Sequence, residues 1–270
     1  MMYCLQTILP NNRSVRYNGL GQIQVLAEDD VTNIEDFLIT VYDKDGSIGH
    51  ILLSATGEKF GFDYIHRLAF LHSTDLRNIP YWGIDLESSV ALAEADMGDM
   101  LDRGHINSSI SIRYIGVLGD SGVDVGYGIF AEEEIKMGTL IGEYVGVVFQ
   151  ASTSSSSCYA LNYPCKVGGY VIDSNETGNI IRMVNHSDNH NSSFQNIFHD
   201  NMMHVICVSH ALVCLFVVLS CVCVLNHAIT IMCMCTLQVT QRDIQKGEQV
   251  TVDYGGGYWA TKSYKPLSLE

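Results

Sequence analysis

Arg182-Met183-Val184-Asn185-His186-Ser187, read together with Asp253-Tyr254 near the C-terminus, decides how this chain is to be understood. Asn185, His186 and Ser187 stand directly behind an apolar run made of Ile180, Ile181, Met183 and Val184. Burial of that run carries the polar triplet into or beside a core, where its polar groups need partners. Three further pieces stand at suggestive distances: Gly126-Tyr127-Gly128, Glu143-Tyr144-Val145-Gly146, and Gly247-Glu248 leading to Asp253-Tyr254. A lone Gly-x-Gly is more often just a turn; its weight comes from Tyr144, Asn185 and Tyr254 downstream.

In this order the pieces resemble the SET domain, the fold of protein-lysine methyltransferases that use S-adenosyl-L-methionine. The likeness runs from about Ile112 to Trp259. Ile135 to Gly146 matches the family's Ile-x-x-Gly-x-x-Ile-x-x-Tyr-x-Gly stretch, and Ile172-Asp173-Ser174 and Gly178-Asn179 lead in order to Arg182. Gly247 to Gly255 matches its closing Gly-Glu-x-x-x-x-Asp-Tyr-Gly, with Tyr258-Trp259 beyond.

The resemblance implies a mainly β fold with short helices, a SET-domain β-clip closed by a C-terminal pseudoknot. The late segment would pass through a loop beside Asn185-His186, although threading is rare among folds. It implies that Gly126, Tyr127 and Gly128 help cradle S-adenosyl-L-methionine and that Asn185 and His186 hold its adenosyl portion. Tyr254 would be the active-site tyrosine at the methyl group and the lysine amine, and Tyr144 a second tyrosine of the lysine channel. The activity implied is methyl transfer to a lysine of a basic protein, with histone tails the leading class. A non-catalytic SET module that binds peptide or cofactor is the alternative. Arg182 reads as a structural ion-pair residue, Asp253 and Glu248 as framework.

The chain departs from the family pattern in several places. Val125 replaces the Arg common before the glycine turn, and Asp188 and His190 stand where Cys and Pro are usual. No cysteine follows Tyr254, so no metal ligands are expected; Tyr258, Trp259 and Tyr264 suggest an aromatic lid instead. Val252, where many relatives carry Phe or Tyr, leaves the number of methyl groups open.

The 270 residues suffice for a real core. Thirty acidic against fifteen basic residues give a formal charge of -15, which opposes direct nucleic-acid binding and favours a basic partner. Of nine cysteines, only Cys4, Cys158 and Cys165 lie clear of one apolar stretch and its border. That is no disulfide framework, and a reducing compartment, nuclear or cytoplasmic, is expected.

Residues 1–108 read as an α+β region of unknown role. Phe37 to Tyr42 and Ile48 to Leu53 flank Asp43-Lys44-Asp45-Gly46, which predicts a hairpin. The spacing of Leu86, Val90, Leu92, Met97 and Leu101 predicts a helix over 85–101, stopped by Gly104. The SET domain is expected over 109–260, with one strand over Leu140 to Val148 and a tail at 261–270. Tyr159, Tyr163 and Tyr170 fit either a substrate groove or packing.

The domain is interrupted at about 208–238 by an apolar run; from Asn201 to Gln241 there is no Asp, Glu, Lys or Arg. The stretch 211–237 approaches the roughly 20 residues of a bilayer crossing. A single crossing would put two strands of one fold on opposite sides of the membrane, so an anchor is the least favoured reading. A Val codon beginning GT and a Gln codon CAG match intron ends, so the run reads best as a retained untranslated segment, with a hydrophobic hairpin insertion next.

Overall fold

The computed structural model describes residues 7–9, 13–17, 23–25, 34–71, 91–92, 95–117, 124–150, 157–163, 169–199, 202–209, 242–256 and 258. The first half holds strands β1 (Thr7–Leu9), β2 (Arg13–Tyr17), β3 (Ile23–Val25), β4 (Leu38–Tyr42) and β5 (Ile48–Leu52). After them come α1 (Thr56–Phe60), β6 (Asp63–Tyr64), β7 (Ala69–Phe70), β8 (Ala91–Leu92) and α2 (Ala95–Asp102). Then follow β9 (Ile110–Tyr114), β10 (Tyr127–Ala131), β11 (Leu140–Glu143), β12 (Val147–Gln150), β13 (Ala160–Asn162) and β14 (Tyr170–Asp173). The chain closes with β15 (Thr177–Gly178), a 3-10 helix over Ile180–Met183, β16 (Asn185–His186), β17 (Ser192–His199), β18 (Met202–Ser209) and β19 (Thr251–Val252). Short strands in several small sheets, with few short helices, agree with the expected class.

The hairpin forms as its turn residues demand. Tyr42 pairs with Ile48 and Leu38 with Leu52, while Gly46 N–H donates to the Asp43 carbonyl at 3.0 Å. Alternation in Leu-Ile-Thr-Val-Tyr sends Ile39 and Val41 into the core. β4 then pairs in parallel with β9, giving the order β10-β9-β4-β5. Residues before and after 108 therefore share a sheet, as they do again where β7 pairs with β12 and β8 with β17.

Two expected elements differ. The helix occupies only Ala95–Asp102, because Ala91 and Leu92 pair with Ile197 and Phe198 on β17. A ladder partner from far along the chain overrides the local helical spacing. Leu140 to Val148 is two strands in different sheets: β11 pairs with β18, whereas β12 pairs with β14 and β7. The chain changes sheets at Tyr144-Val145-Gly146, which holds Tyr144 at a seam.

The main core gathers Ile112, Ile129, Ile141, Ile172, Ile180, Ile181 and Val252 around that seam. A smaller cluster, Leu101, Leu140, Ile197, Ile206 and Val208, seats α2 through Met97 and Met100. β18 runs through Ser209, so Val208 belongs to a described strand. The rest of the apolar run, with the hairpin-insertion and anchor readings placed on it, lies outside the described residues, as do Trp259 and Tyr264. Among the described residues no helix is long and apolar enough to cross a membrane.

Candidate active site

Three distant segments meet at β16. The Asn179 side chain accepts from Ile181 N–H at 3.0 Å, capping the 3-10 helix, and donates to the Glu143 carbonyl at 2.9 Å. The helix delivers Asn185 and His186 to a parallel pairing with Thr251 and Val252. The closing segment is gripped on both flanks. On one side Val250 N–H donates to Ile129 O at 2.8 Å; on the other Ser187 N–H donates to Val252 O at 3.1 Å.

Asn191, which the motif reading passed over, is the clasp. Its side chain accepts from Thr251 N–H at 3.0 Å and donates to Gln249 O at 2.8 Å, while Ser192 Oγ donates to Thr251 O at 2.7 Å. Only its place four residues past Asn185-His186-Ser187 hinted at it; its partners lie 58–60 residues on.

Tyr254 follows directly. Its hydroxyl donates to the carbonyl of Val184, the residue before Asn185, at 2.7 Å, and its N–H donates to His186 Nδ1 at 3.2 Å. With Nδ1 accepting, the ring proton sits on Nε2, 3.3 Å from Asp188. Asn185 Nδ2 in turn donates to the carbonyl of Tyr127 at 3.2 Å, between the two turn glycines. Tyr254, Val184, Asn185 and the Gly126-Tyr127-Gly128 turn thus form one bonded chain.

A Cβ on Gly128 would stand 2.5 Å from Gln249 Nε2, 2.7 Å from Ile115 Cδ1 and 2.9 Å from Asn185 Nδ2, so a larger residue here would displace those side-chain ends. At Gly126, with φ of 72°, a Cβ would meet open space. Gln249 Nε2 is buried without a hydrogen-bond partner among the described residues. Open backbone beside a donor of this kind fits a bound group rich in acceptors, as S-adenosyl-L-methionine is. The Tyr127 hydroxyl points away from Asn185, donating to Asp43 of the hairpin turn, and its ring lies edge-on to Phe60 and Tyr114. Burial and the Asp43 carboxylate push that hydroxyl up to about 12.

Tyr144 is buried; its hydroxyl donates to Tyr159 O at 2.7 Å and its ring lies edge-on to Phe194. Burial drives the Tyr144 hydroxyl well above its ordinary range, and neighbouring Tyr254 adds to this. Burial does the same to the hydroxyl end of Tyr254, although the residue as a whole is half-buried. Behind them Glu143 and His204, both buried, pair at 2.7 Å.

The three later tyrosines divide. Tyr163 and Tyr170 are core residues, Tyr163 donating to Met203 O at 3.2 Å, while Tyr159 is exposed at the rim. Tyr258 lies edge-on against Tyr254 at 4.7 Å. Glu248 acts as framework, accepting from Arg242 through both oxygens. Among the described residues Arg182 forms no ion pair; its guanidinium lies over the rings of Tyr159 and Phe62.

Residues 126–211 match the family described as the SET domain. The chain carries a SET domain. Two Arabidopsis thaliana proteins, ASHH3 and ASHH4, align with it over 78 residues at 37% and 36% identity, covering 26% of this chain. ASHH3 bears the name histone-lysine N-methyltransferase. The chain spans 22% of the length of each. A crystal structure of ATXR5 in complex with mono-methylated histone H3.1 superposes with a TM-score of 0.51 over 76% of this chain and 86% of that one. At 16% identity this is likeness of fold. The β16–β19 pairing thus lies inside a SET domain on one side and beyond its matched segment on the other.

Proposed function

We propose that this chain is an S-adenosyl-L-methionine-dependent protein-lysine N-methyltransferase whose substrate is a basic protein, a histone first among them. The bonded chain from Tyr254 through Val184 and Asn185 to the Gly126–Gly128 turn carries this reading. It brings the proposed acceptor end and the proposed cofactor end of the site together. The names of the aligned relatives and the charge of -15 support a lysine-rich substrate. A histone substrate would require a nuclear location.

When bound, S-adenosyl-L-methionine supplies a methyl group on a positive sulfonium. Gly126, Tyr127, Gly128, Asn185 and His186 would hold it, with Tyr254 at the methyl end. The lysine must arrive neutral although its free amine titrates near ~10.4, and desolvation between Tyr144 and Tyr254 favours loss of that proton. Both hydroxyls are raised far above their ordinary value, so they stay protonated and neither serves as the base. The proton is left to solvent as the amine enters. Each hydroxyl spends its hydrogen on a backbone carbonyl, which leaves its lone pairs to receive an amine or a methyl group. Such alignment can contribute roughly 7–11 kcal/mol.

Incubation of the full chain with methyl-labelled cofactor and mixed histones should label lysine. Cofactor binding without transfer would make the domain a binding module, and failure to bind cofactor would end the reading.

A further inference from the structure

The 3-10 helix over Ile180–Met183 governs more than the Asn185-His186 pair. Its C-terminal neighbour Val184 supplies the carbonyl that holds the Tyr254 hydroxyl. From within it, Arg182 reaches the opposite wall. The guanidinium carbon lies 3.9 Å from the ring centroid of Tyr159 and 4.8 Å from that of Phe62, which is buried just after α1. Tyr159 is otherwise exposed, on a turn between residues 157 and 160. Its carbonyl receives both Ser174 N–H at 3.1 Å and the Tyr144 hydroxyl at 2.7 Å. A planar cation in contact with two rings is held more rigidly than a lysine ammonium on a flexible stem would be.

We propose that Arg182, whose guanidinium lies over both Phe62 and Tyr159, is a positioning residue that fixes the Tyr159 turn and through it the hydroxyl of Tyr144. This rests on the methyltransferase reading for its consequence but not for its geometry. One helix would then set both tyrosines of the acceptor channel, Tyr254 through backbone and Tyr144 through a stacked side chain. Phe62 would tie that channel to the region before residue 108. Because the Arg182 contacts touch neither Gly126–Gly128 nor Asn185, the effect should fall on the peptide and not on the cofactor.

The test uses the full-length chain with Arg182→Lys, Phe62→Leu and Phe62→Tyr, after thermal unfolding has confirmed folding. Loss of the stack should raise the KM for a lysine peptide about 5–10-fold in Arg182→Lys, the range expected for a half-desolvated cation–π contact. The Kd for S-adenosyl-L-methionine should not change. Phe62→Leu should move in the same direction, and Phe62→Tyr should behave as the natural chain. Carbon-labelled tyrosine spectra give a readout independent of turnover: signals of Tyr144 and Tyr159 should shift in Arg182→Lys while that of Tyr127 stays. Unmoved Tyr144 and Tyr159 signals in a folded Arg182→Lys protein would overturn the proposal. So would equal losses of cofactor and peptide binding. If the natural chain transfers no methyl group at all, the functional reading fails, and the tyrosine signals still decide the positioning role.

Discussion

The β4–β5 hairpin and the β16–β19 junction are both short pairings, and they are built on opposite plans. The hairpin joins residues a few positions apart around Asp43–Ser47, and leaves Leu38, Ile48 and Leu52 from 47% to 64% exposed. The junction joins Asn185-His186 to Thr251-Val252, and Val250, Thr251 and Val252 are buried. Water can replace a partner lost from the first. In the second, a lost partner leaves a backbone group stranded in the interior. Site residues hang on the stranded kind, so precision of the site is bound to the stability of the fold.

The largest effect expected from that contrast is at the clasp. Asn191→Ala removes bonds to Thr251 N–H and Gln249 O together, and with each stranded group costing about 1–3 kcal/mol the loss should be about 4 kcal/mol. The urea midpoint should fall with little change in slope; a fall within about 1 kcal/mol would mean water reaches the junction. Next, Tyr254→Phe keeps the ring against His186 and Tyr258 but loses the hydroxyl held by Val184. Its kcat should drop about 100-fold, the scale of one misplaced polar contact at a reacting centre, with cofactor affinity retained.

Gly128→Ala presses a methyl group on the side-chain ends of Gln249, Ile115 and Asn185, and because these can swing aside stability should fall by only about 1 kcal/mol, while displacement of Asn185 should weaken cofactor binding measured by calorimetry. The smallest effect belongs to the hairpin. Bonds from Lys59, Tyr127 and the Lys44 N–H hold Asp43 down at about 2 against an ordinary 3.8. A carboxyl depressed by folding lends stability above its unfolded value and loses it as pH falls through the folded one, so this contribution should disappear between about pH 4 and 2. Solvent reaches the pair, and Asp43→Asn at neutral pH should cost only about 0.5–1 kcal/mol by chemical unfolding. A larger loss would show that the hairpin supports the Gly126–Gly128 turn through Tyr127.

Legibility followed the same divide. The hairpin could be read from its own Asp-Lys-Asp-Gly turn, because the turn and the strand pairing across it are local. The junction could be read only through the family pattern, since nothing in Thr251-Val252 announces a partner at Asn185. Contacts outside both kinds of signal were missed: Asn191 on Thr251, Glu143 against His204, and Arg182 over Phe62 and Tyr159 each join residues with no shared pattern. The truncated helix and the divided strand at Tyr144 have one cause. Long-range pairing with β17 and with β14 and β7 overruled local periodicity.

The turn at Lys136–Thr139 carries a last consequence. Ser209, where β18 ends, donates through Oγ to Lys136 O at 2.6 Å, and Asp243 accepts from Met137 N–H at 2.9 Å and pairs with Lys136 at 2.9 Å. Whatever enters at residue 210 and leaves after residue 241 therefore departs and returns through one doorway. Ser209 and Asp243 thus lie at one turn, and closing a flexible loop between ends so placed costs only about 0.6 kcal/mol more for each doubling of its length.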